Sequence, residues 1–197
     1  MENFISGFKN YCSKRNWTFD NYCSEFTFQF RICRYLEEVN NNYFIELESN
    51  IERYDCGRLI KKEIDIDIIS SDNKKIAIEL KYVRDQGSFN IGMYKYCEDI
   101  KFLEELVETK FDIGYAIIFT NIKELYTAPN RTQNPKNEEN KVLYTSFRIN
   151  KKLTGELKIK TGTMNESLSL RGEYILNWED FFQNIKVCIL KIEKASH

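Results

Sequence analysis

Three acidic residues and one lysine lie close together in the sequence: Asp65, Asp67, Glu79 and Lys81. Carboxylate oxygens are the ligands that magnesium prefers, and this ion commonly takes one or two carboxylates beside water and phosphate oxygens. A lysine two residues from such a ligand can orient or deprotonate a water molecule and can neutralise charge that develops on a phosphate. These residue types therefore indicate hydrolysis of phosphodiester bonds with Mg²⁺, or Mn²⁺ in its place.

Two short segments carry these residues, and in both of them charged and apolar side chains alternate. The alternation predicts β-strands over 62–69 and 76–82, and the polar run 71–75 predicts the turn of a hairpin. A turn at these residues would pair Asp67 with Glu79, about 5 Å apart. It would pair Asp65 with Lys81, and the isoleucines would occupy the other face.

The same pattern has a plainer interpretation as the solvated side of a half-exposed sheet, in which acids and lysines form cross-strand pairs. Asp is a poor strand residue, so two of them in one strand call for a reason. The pattern alone leaves both interpretations open. Asp65 is the alternative to Asp67 as the essential aspartate. Glu46 or Glu48 could add a ligand, although surface charge is the preferred interpretation for both.

Helices and strands around the hairpin are predicted from hydrophobic periodicity. Ser24 is a suitable N-cap for a helix over 23–39, with Glu25 in its first turn. The other elements before residue 121 are a strand over 43–48, a helix over 93–109 and a buried strand over 113–120. Because a helix separates that last strand from the hairpin, parallel pairing of the two is expected.

The rest of the chain is predicted to add a long loop and a peripheral set of elements. These are a loop over 121–140, strands over 142–149, 155–160 and 173–176, and an amphipathic helix over 178–191. The element order predicts an α/β or α+β fold with a mixed β-sheet flanked by helices. The length of 197 residues suits a single domain over 1–197.

Composition removes several classes of function. The only histidine is His197, so chemistry that depends on histidine is excluded and a zinc site is disfavoured. The six cysteines form no C-x-x-C pair, which predicts reduced thiols, several of them buried. Since the N-terminus lacks the pattern of a signal peptide and the apolar runs are short, a cytoplasmic protein without membrane contact is expected.

A net charge of −1 gives no general attraction to nucleic acid, but residues 141–160 hold six basic residues against one acid. Lys151 and Lys152 at the centre of this segment are the candidate contacts to a phosphate backbone. The alternative is a solvated surface hairpin, which charge alone favours.

Asp67 followed by Glu79-Leu80-Lys81 resembles the D-x(n)-E-x-K core of the PD-(D/E)XK nuclease superfamily, whose fold is restriction-endonuclease-like. The predicted order αβββαβ over about residues 20–121 is the order of that core, and 141–197 would be a C-terminal extension. Further segments resemble a group of small bacterial members of the superfamily, namely IAIELKY at 76–82, Gln86-Gly87, Gly92-x-Tyr94, Asp99-Ile100, GYAIIFTN at 114–121, LRGEY at 170–174 and Asn177-Trp178.

The resemblance implies a metal-dependent nuclease acting on DNA, as in restriction or anti-phage defence, and it allows a homodimer. Asp67 and Glu79 would be the metal ligands and Lys81 the catalytic lysine. The supporting residues would be Glu25, as an extra acid, and Gln86 and Tyr94, as polar groups near the site. Tyr94 has helix packing as its alternative role, as does Tyr96.

Two departures from the family pattern bear on activity. No proline precedes Asp67, and Asn90 and Met93 stand where an acid and an arginine are more usual. The alternative function is therefore a catalytically inactive module of the same fold that binds nucleic acid or regulates a larger system.

Overall fold

The computed structural model describes residues 4–19, 23–84, 89–127, 147, 152–182 and 184–194. The helices are α1 (Phe4–Lys14), α2 (Glu25–Val39), α3 (Phe89–Thr109) and the one-turn α4 (Lys123–Tyr126), with a 3₁₀ turn over Ile51–Tyr54. The strands are β1 (Phe44–Asn50), β2 (Glu63–Ile69), β3 (Lys75–Val83), β4 (Ile113–Thr120), β5 (Lys152–Thr161), β6 (Met164–Ile175), β7 (Glu179–Phe182) and β8 (Ile185–Ile192).

Six strands form one mixed sheet in the order β1-β2-β3-β4-β8-β7. The pair β3–β4 is parallel, as the intervening helix predicted, and the other pairs are antiparallel. The expected class is therefore confirmed at the level of an α+β fold with a mixed sheet flanked by helices. The predicted order of helix, three strands, helix and strand is found in α2 through β4.

Helices cover both faces of the sheet, and alternate residues of β4 show the division. Tyr115, Ile117 and Phe119 belong to the cluster formed with α1 and α2, whereas Ala116 and Ile118 belong to the cluster formed with α3. Because both faces are buried, β4 is apolar along nearly its whole length. The isoleucines of the hairpin that pack toward α1 and α2 are Ile66, Ile68 and Ile78.

The helix α2 begins where its sequence predicts. Ser24 Oγ accepts a hydrogen bond from the Thr27 main-chain N–H at 3.2 Å, and the Thr27 hydroxyl accepts one from the Ser24 N–H at 3.2 Å. This reciprocal capping satisfies two main-chain donors at the helix start. It also fixes the position of Glu25, the first residue of the helix.

The predicted helix over 178–191 is wrong, because this segment forms β7 and β8. Strand β8 pairs with β4 and is buried on both faces, so Val187 packs toward α2 while Cys188 packs toward α3. A strand buried on both faces has a nearly continuous apolar sequence, from which helix and strand periods cannot be told apart. The helix α1 is an element that the periodicity did not reveal.

A second, two-stranded sheet consists of β5 and β6 and packs on α3 through Leu153, Leu157 and Ile159. The predicted strands 155–160 and 173–176 fall largely within it, although β6 already begins at Met164. The predicted strand 142–149 lies almost wholly outside the described residues, as does the predicted loop beyond residue 127.

All six cysteines are free and buried, in agreement with the prediction of reduced thiols. In the described part of the chain, no helix is both long and apolar enough to cross a membrane.

Candidate active site

The hairpin β2–β3 has a different register from the one predicted. Asp67 pairs with Ala77 and Ile66 pairs with Ile78, so the expected pairing of Asp67 with Glu79 is wrong. The reason lies in the turn, which is two residues shorter than expected: the Ser70 N–H donates to the Lys74 carbonyl at 3.0 Å, so the turn spans 71–73 instead of 71–75. Lys75 is therefore the first residue of β3 and not a turn residue.

Asp65 is the aspartate that meets Glu79. Its main-chain N–H donates to Glu79 Oε1 at 3.2 Å, and its own Oδ2 accepts from the Leu80 main-chain N–H at 2.7 Å. The register pairs of β2 and β3 end at Ile66 and Ile78, directly before these contacts. Two carboxylates thus replace main-chain carbonyls as acceptors at the point where the strands separate.

Lys81 lies two residues beyond Glu79 on β3 and is held by Glu25. Its ammonium donates to Glu25 Oε1 at 2.9 Å, while Glu25 Oε2 accepts from the Tyr82 main-chain N–H at 2.8 Å. The capped start of α2 therefore clamps the end of β3. The structure brings Glu25 and Lys81 together as two parts of one site, beside Asp65 and Glu79.

Two further charged residues join the site, Asp99 of α3 and Lys61, which precedes β2. The Lys61 ammonium bridges Glu79 Oε2 and Asp99 Oδ1, the latter at 3.0 Å, and Asp99 Oδ2 lies 3.9 Å from Lys81 Nζ. Asp99 was part of the segment Asp99-Ile100 that carries the family resemblance, but neither Asp99 nor Lys61 was a predicted site residue. An acid beside the apolar stripe of a helix, next to Ile100, was a signal for Asp99, whereas nothing in its spacing distinguishes Lys61.

The carboxylates of this site are strongly desolvated. Glu79 is 0% exposed and Asp99 3% exposed. Burial raises the pKa of Glu79 well above its usual range, and the Asp65 carboxylate raises it further, while Lys61 opposes both effects. Burial also raises the pKa of Asp65 and of Asp99, again opposed by Lys61.

The pKa values of both lysines are raised as well, because the neighbouring carboxylates stabilise the charged ammonium groups. Burial alone would lower the pKa of Lys61, but Glu79 and Asp99 outweigh it and the pKa is raised. For Lys81 the opposing carboxylates are Asp99 and Glu25, with the same result. The site therefore holds its two ammonium groups in the charged state.

Asp67 lies in a different polar cluster. It is two residues further along β2 than Asp65, a distance of about 7 Å by strand geometry. It is 2% exposed, and its Oδ2 accepts from Ser49 Oγ at 3.0 Å and from the Tyr54 hydroxyl. These contacts tie β1 and the 3₁₀ turn to β2. Asp67 is therefore a buried anchor in this structure, and not a neighbour of Glu79.

The remaining predicted residues lie elsewhere or outside the described chain. Tyr94 is a residue of α3 that is buried in the core cluster, and burial raises its pKa to about 12, which fits the packing alternative. Lys152 is exposed on β5 and forms an ion pair with Glu173. Gln86 and Lys151 lie outside the described residues.

The two acids of β1 differ in their relation to the site. Glu46 forms an ion pair with Arg53 at the surface, in keeping with the interpretation as surface charge. Glu48 has a left-handed backbone with φ of 50°, which is unusual for a residue other than glycine within a strand. Burial and the nearby Asp65 carboxylate raise the pKa of Glu48, and its side chain hydrogen-bonds Gln29. Glu48 thus lies beside the site.

A divalent cation at this site would take its protein ligands from the carboxylate oxygens. Within the described ranges, no group of three or more acidic, cysteine or histidine side chains is arranged to hold a metal ion. The pair Asp65 and Glu79 suits an ion such as Mg²⁺, which keeps most of its ligands as water or phosphate oxygens. Asp99 adds a buried Oδ2 that has no hydrogen-bond partner among the described residues.

Comparisons with known proteins give no relative for this chain. No protein-family model, no curated protein and no solved structure matches it. The geometry of the site and its chemistry are therefore the basis for a functional proposal.

Proposed function

We propose that this protein is a metal-dependent nuclease that hydrolyses phosphodiester bonds in DNA, with a restriction-endonuclease-like core formed by α2 through β4. The observation that carries the proposal is the pair of carboxylates, Asp65 and Glu79, placed between separating strands with Lys81 two residues away on β3. The sequence pattern predicted Asp67, Glu79 and Lys81 for these roles, and the proposal takes Asp65, the alternative aspartate, in place of Asp67.

Burial supports a chemical role for this set over the plain interpretation of a solvated sheet face. Glu79 is 0% exposed, and an ionised carboxylate is costly to bury unless it is paired. A residue that only solubilises a sheet would lie in water. The free-energy cost of burying these carboxylates would be offset if together they hold a cation.

In the proposed mechanism, Asp65 and Glu79 hold the divalent cation, Mg²⁺ or Mn²⁺. When bound, the ion would polarise the scissile phosphate and favour deprotonation of the attacking water. Lys81 donates hydrogen bonds to the reacting phosphate and stabilises the charge that develops on it. Glu25 positions Lys81, because one of its oxygens holds the ammonium and the other is fixed to the main chain of Tyr82.

A cavity of about 260 Å³ lies next to this set and gives a phosphate a place to approach. Its lining includes Lys61, Lys81 and Lys95 together with Glu98 and Asp99. Lysines around a cleft raise the local concentration of anionic substrate even when the whole chain is nearly neutral. The net charge of −1 is thus compatible with a nucleic-acid substrate.

The test is cleavage of supercoiled plasmid and of single-stranded DNA in the presence of Mg²⁺ or Mn²⁺, with the wild type compared with Lys81→Ala. We expect cutting by the wild type and a loss of about 100-fold or more in the variant. Lys74→Ala is the matched control, because Lys74 is an exposed lysine in the hairpin turn whose ion pair is with Asp72.

Equal cutting by the wild type and Lys81→Ala would overturn the proposal, and so would no cutting by either. If neither cuts DNA but both retard it in a gel-shift assay, the inactive nucleic-acid-binding module becomes the better account. The wider role in restriction or anti-phage defence remains an expectation from the sequence resemblance alone.

A further inference from the structure

Lys61, like Asp99, belongs to the site but has no role in the proposed reaction, and it forms ion pairs with two of the site's acids. It lies in the irregular segment between the 3₁₀ turn and β2. Its ammonium donates to Glu79 Oε2 and, at 3.0 Å, to Asp99 Oδ1. The positive charge therefore lies between two carboxylates from different elements, β3 and α3.

The acids around Lys61 require a cation. Glu79 and Asp99 are almost wholly buried, and Asp65 lies directly beside Glu79. Unpaired carboxylates so close together would repel each other in a medium of low polarity. Asp99 Oδ2 has no hydrogen-bond partner among the described residues, although Lys81 Nζ lies 3.9 Å away. The site thus still offers an unused oxygen to an incoming cation.

The Lys61 ammonium is also able to move out of the carboxylate site. Its side chain is 30% exposed and lines the cavity that opens beside Lys81 and Asp99. The backbone around it is fixed, since the Ile60 N–H donates to Glu105 Oε2 at 2.9 Å and the Lys62 carbonyl accepts from the Ile51 N–H. A lysine side chain has a flexible stem of four carbons, so its ammonium can move into water without a change in the fold.

We propose that Lys61 is a built-in counter-ion that occupies the carboxylate site when no metal is bound and that a divalent cation must displace it. Lys61 therefore weakens the apparent metal affinity and holds the buried acids together in the metal-free protein. The inference rests on the proposed function in that it takes Glu79 as a metal ligand, but it concerns metal binding and not cleavage.

A quantitative expectation follows from competition for one site. The apparent dissociation constant equals the intrinsic constant divided by the fraction of molecules in which the site is open. If Lys61 closes the site in nine molecules out of ten or more, its removal tightens metal binding by about tenfold or more. A variant without Lys61 should also melt at a lower temperature than the wild type when both are metal-free, because Glu79 and Asp99 lose their shared partner.

The experiment measures Mn²⁺ binding to the full chain without DNA, by titration calorimetry and by the electron paramagnetic resonance signal of free Mn²⁺. Lys61→Met keeps the length of the side chain and removes the charge, whereas Lys61→Arg keeps the charge. Lys62→Met is the matched control, because Lys62 is the exposed neighbour in sequence. Melting curves with and without Mn²⁺ provide the second measurement.

We expect about tenfold tighter Mn²⁺ binding in Lys61→Met, little change in Lys61→Arg and Lys62→Met, and a larger Mn²⁺-induced rise in Tm for Lys61→Met than for the wild type. If Lys61→Met is unfolded without metal, recovery of its circular dichroism on addition of Mn²⁺ supports the proposal, and failure to recover overturns it. Unchanged or weaker binding by a folded Lys61→Met overturns it, as does the absence of Mn²⁺ binding in every variant.

The two proposals fail in different ways. Tighter binding in Lys61→Met without DNA cleavage by any variant would retain the counter-ion and reject the nuclease. Cleavage by the wild type with equal Mn²⁺ affinity in Lys61→Met would reject the counter-ion and retain the nuclease.

Discussion

The main-chain N–H of Asp65 donates to a side-chain oxygen of Glu79 at 3.2 Å across the point where β2 and β3 separate. The contact is returned on the other side, where the Leu80 N–H donates to the Asp65 carboxylate at 2.7 Å. Each strand therefore supplies one carboxylate to the backbone of the other. These two hydrogen bonds hold both acids in place. They also leave the gap between β2 and β3 lined with carboxylates.

The first prediction separates Asp65 from Asp67. We expect Asp65→Asn to lower DNA cleavage by about 100-fold or more, because it removes one of two charged ligands from the proposed metal site. Asp67→Asn should retain most of the activity and lose about 1–3 kcal/mol of unfolding free energy, since it weakens buried hydrogen bonds to Ser49 and Tyr54. Plasmid cleavage and urea denaturation measure the two effects. A loss of activity confined to Asp67→Asn would reverse the assignment.

The second prediction concerns Glu25 as the residue that positions Lys81. Glu25→Gln should lower cleavage by about tenfold, less than Lys81→Ala, because the lysine keeps its charge but loses its charged partner. In a Lys81→Ala background the same change should have almost no further effect on the rate. Additive losses in the double variant would show that Glu25 acts independently of Lys81.

The third prediction concerns the attachment of the β5–β6 sheet to α3. Glu104 is 2% exposed and accepts hydrogen bonds from the Gly172 N–H at 2.7 Å and the Tyr174 hydroxyl at 2.9 Å. Glu104→Gln should cost about 1–3 kcal/mol in unfolding free energy. It should also speed amide hydrogen exchange in β5 and β6 while leaving β3 and β4 protected.

Glu108→Gln is the control for this experiment. Glu108 lies one helical turn further along α3 and forms a more exposed ion pair with Arg171 at 3.3 Å. Its loss should cost less than about 1 kcal/mol. Equal effects of the two substitutions would argue against Glu104 as the anchor.

The fourth prediction concerns the thiols. Burial raises the pKa of Cys12, Cys33 and Cys188 to about 12, and it raises that of Cys97 as well. A raised thiol pKa lowers the thiolate fraction at pH 8, and the thiolate is the reactive form. These four cysteines should therefore react slowly with a disulfide reagent in the native protein at pH 8 and rapidly in denaturant. Rapid modification of the native protein, located by mass spectrometry, would contradict this packing.

Much of the core could be predicted from the sequence, since local chemistry determines it. The alternation of charged residues and isoleucines identified β2 and β3, and the capping residue Ser24 identified the start of α2. A strand or a cap depends on neighbours within a few residues, so its pattern is visible in a short segment. The same local signals could not identify β8, because a strand buried on both faces has the apolar composition of a buried helix.

The sequence by itself determined that acids and a lysine would meet on a hairpin, because residue types and the two-residue period of a strand are written in the chain. Only the tertiary structure decided that Asp65, and not Asp67, lies beside Glu79, since a turn that is shorter by two residues shifts the strand pairing by two residues. The tertiary structure also places Lys61 and Asp99, which are 38 residues apart in sequence, in contact at the site. Their meeting depends on how α3 packs over the end of β3, and no local pattern records a distance of that kind.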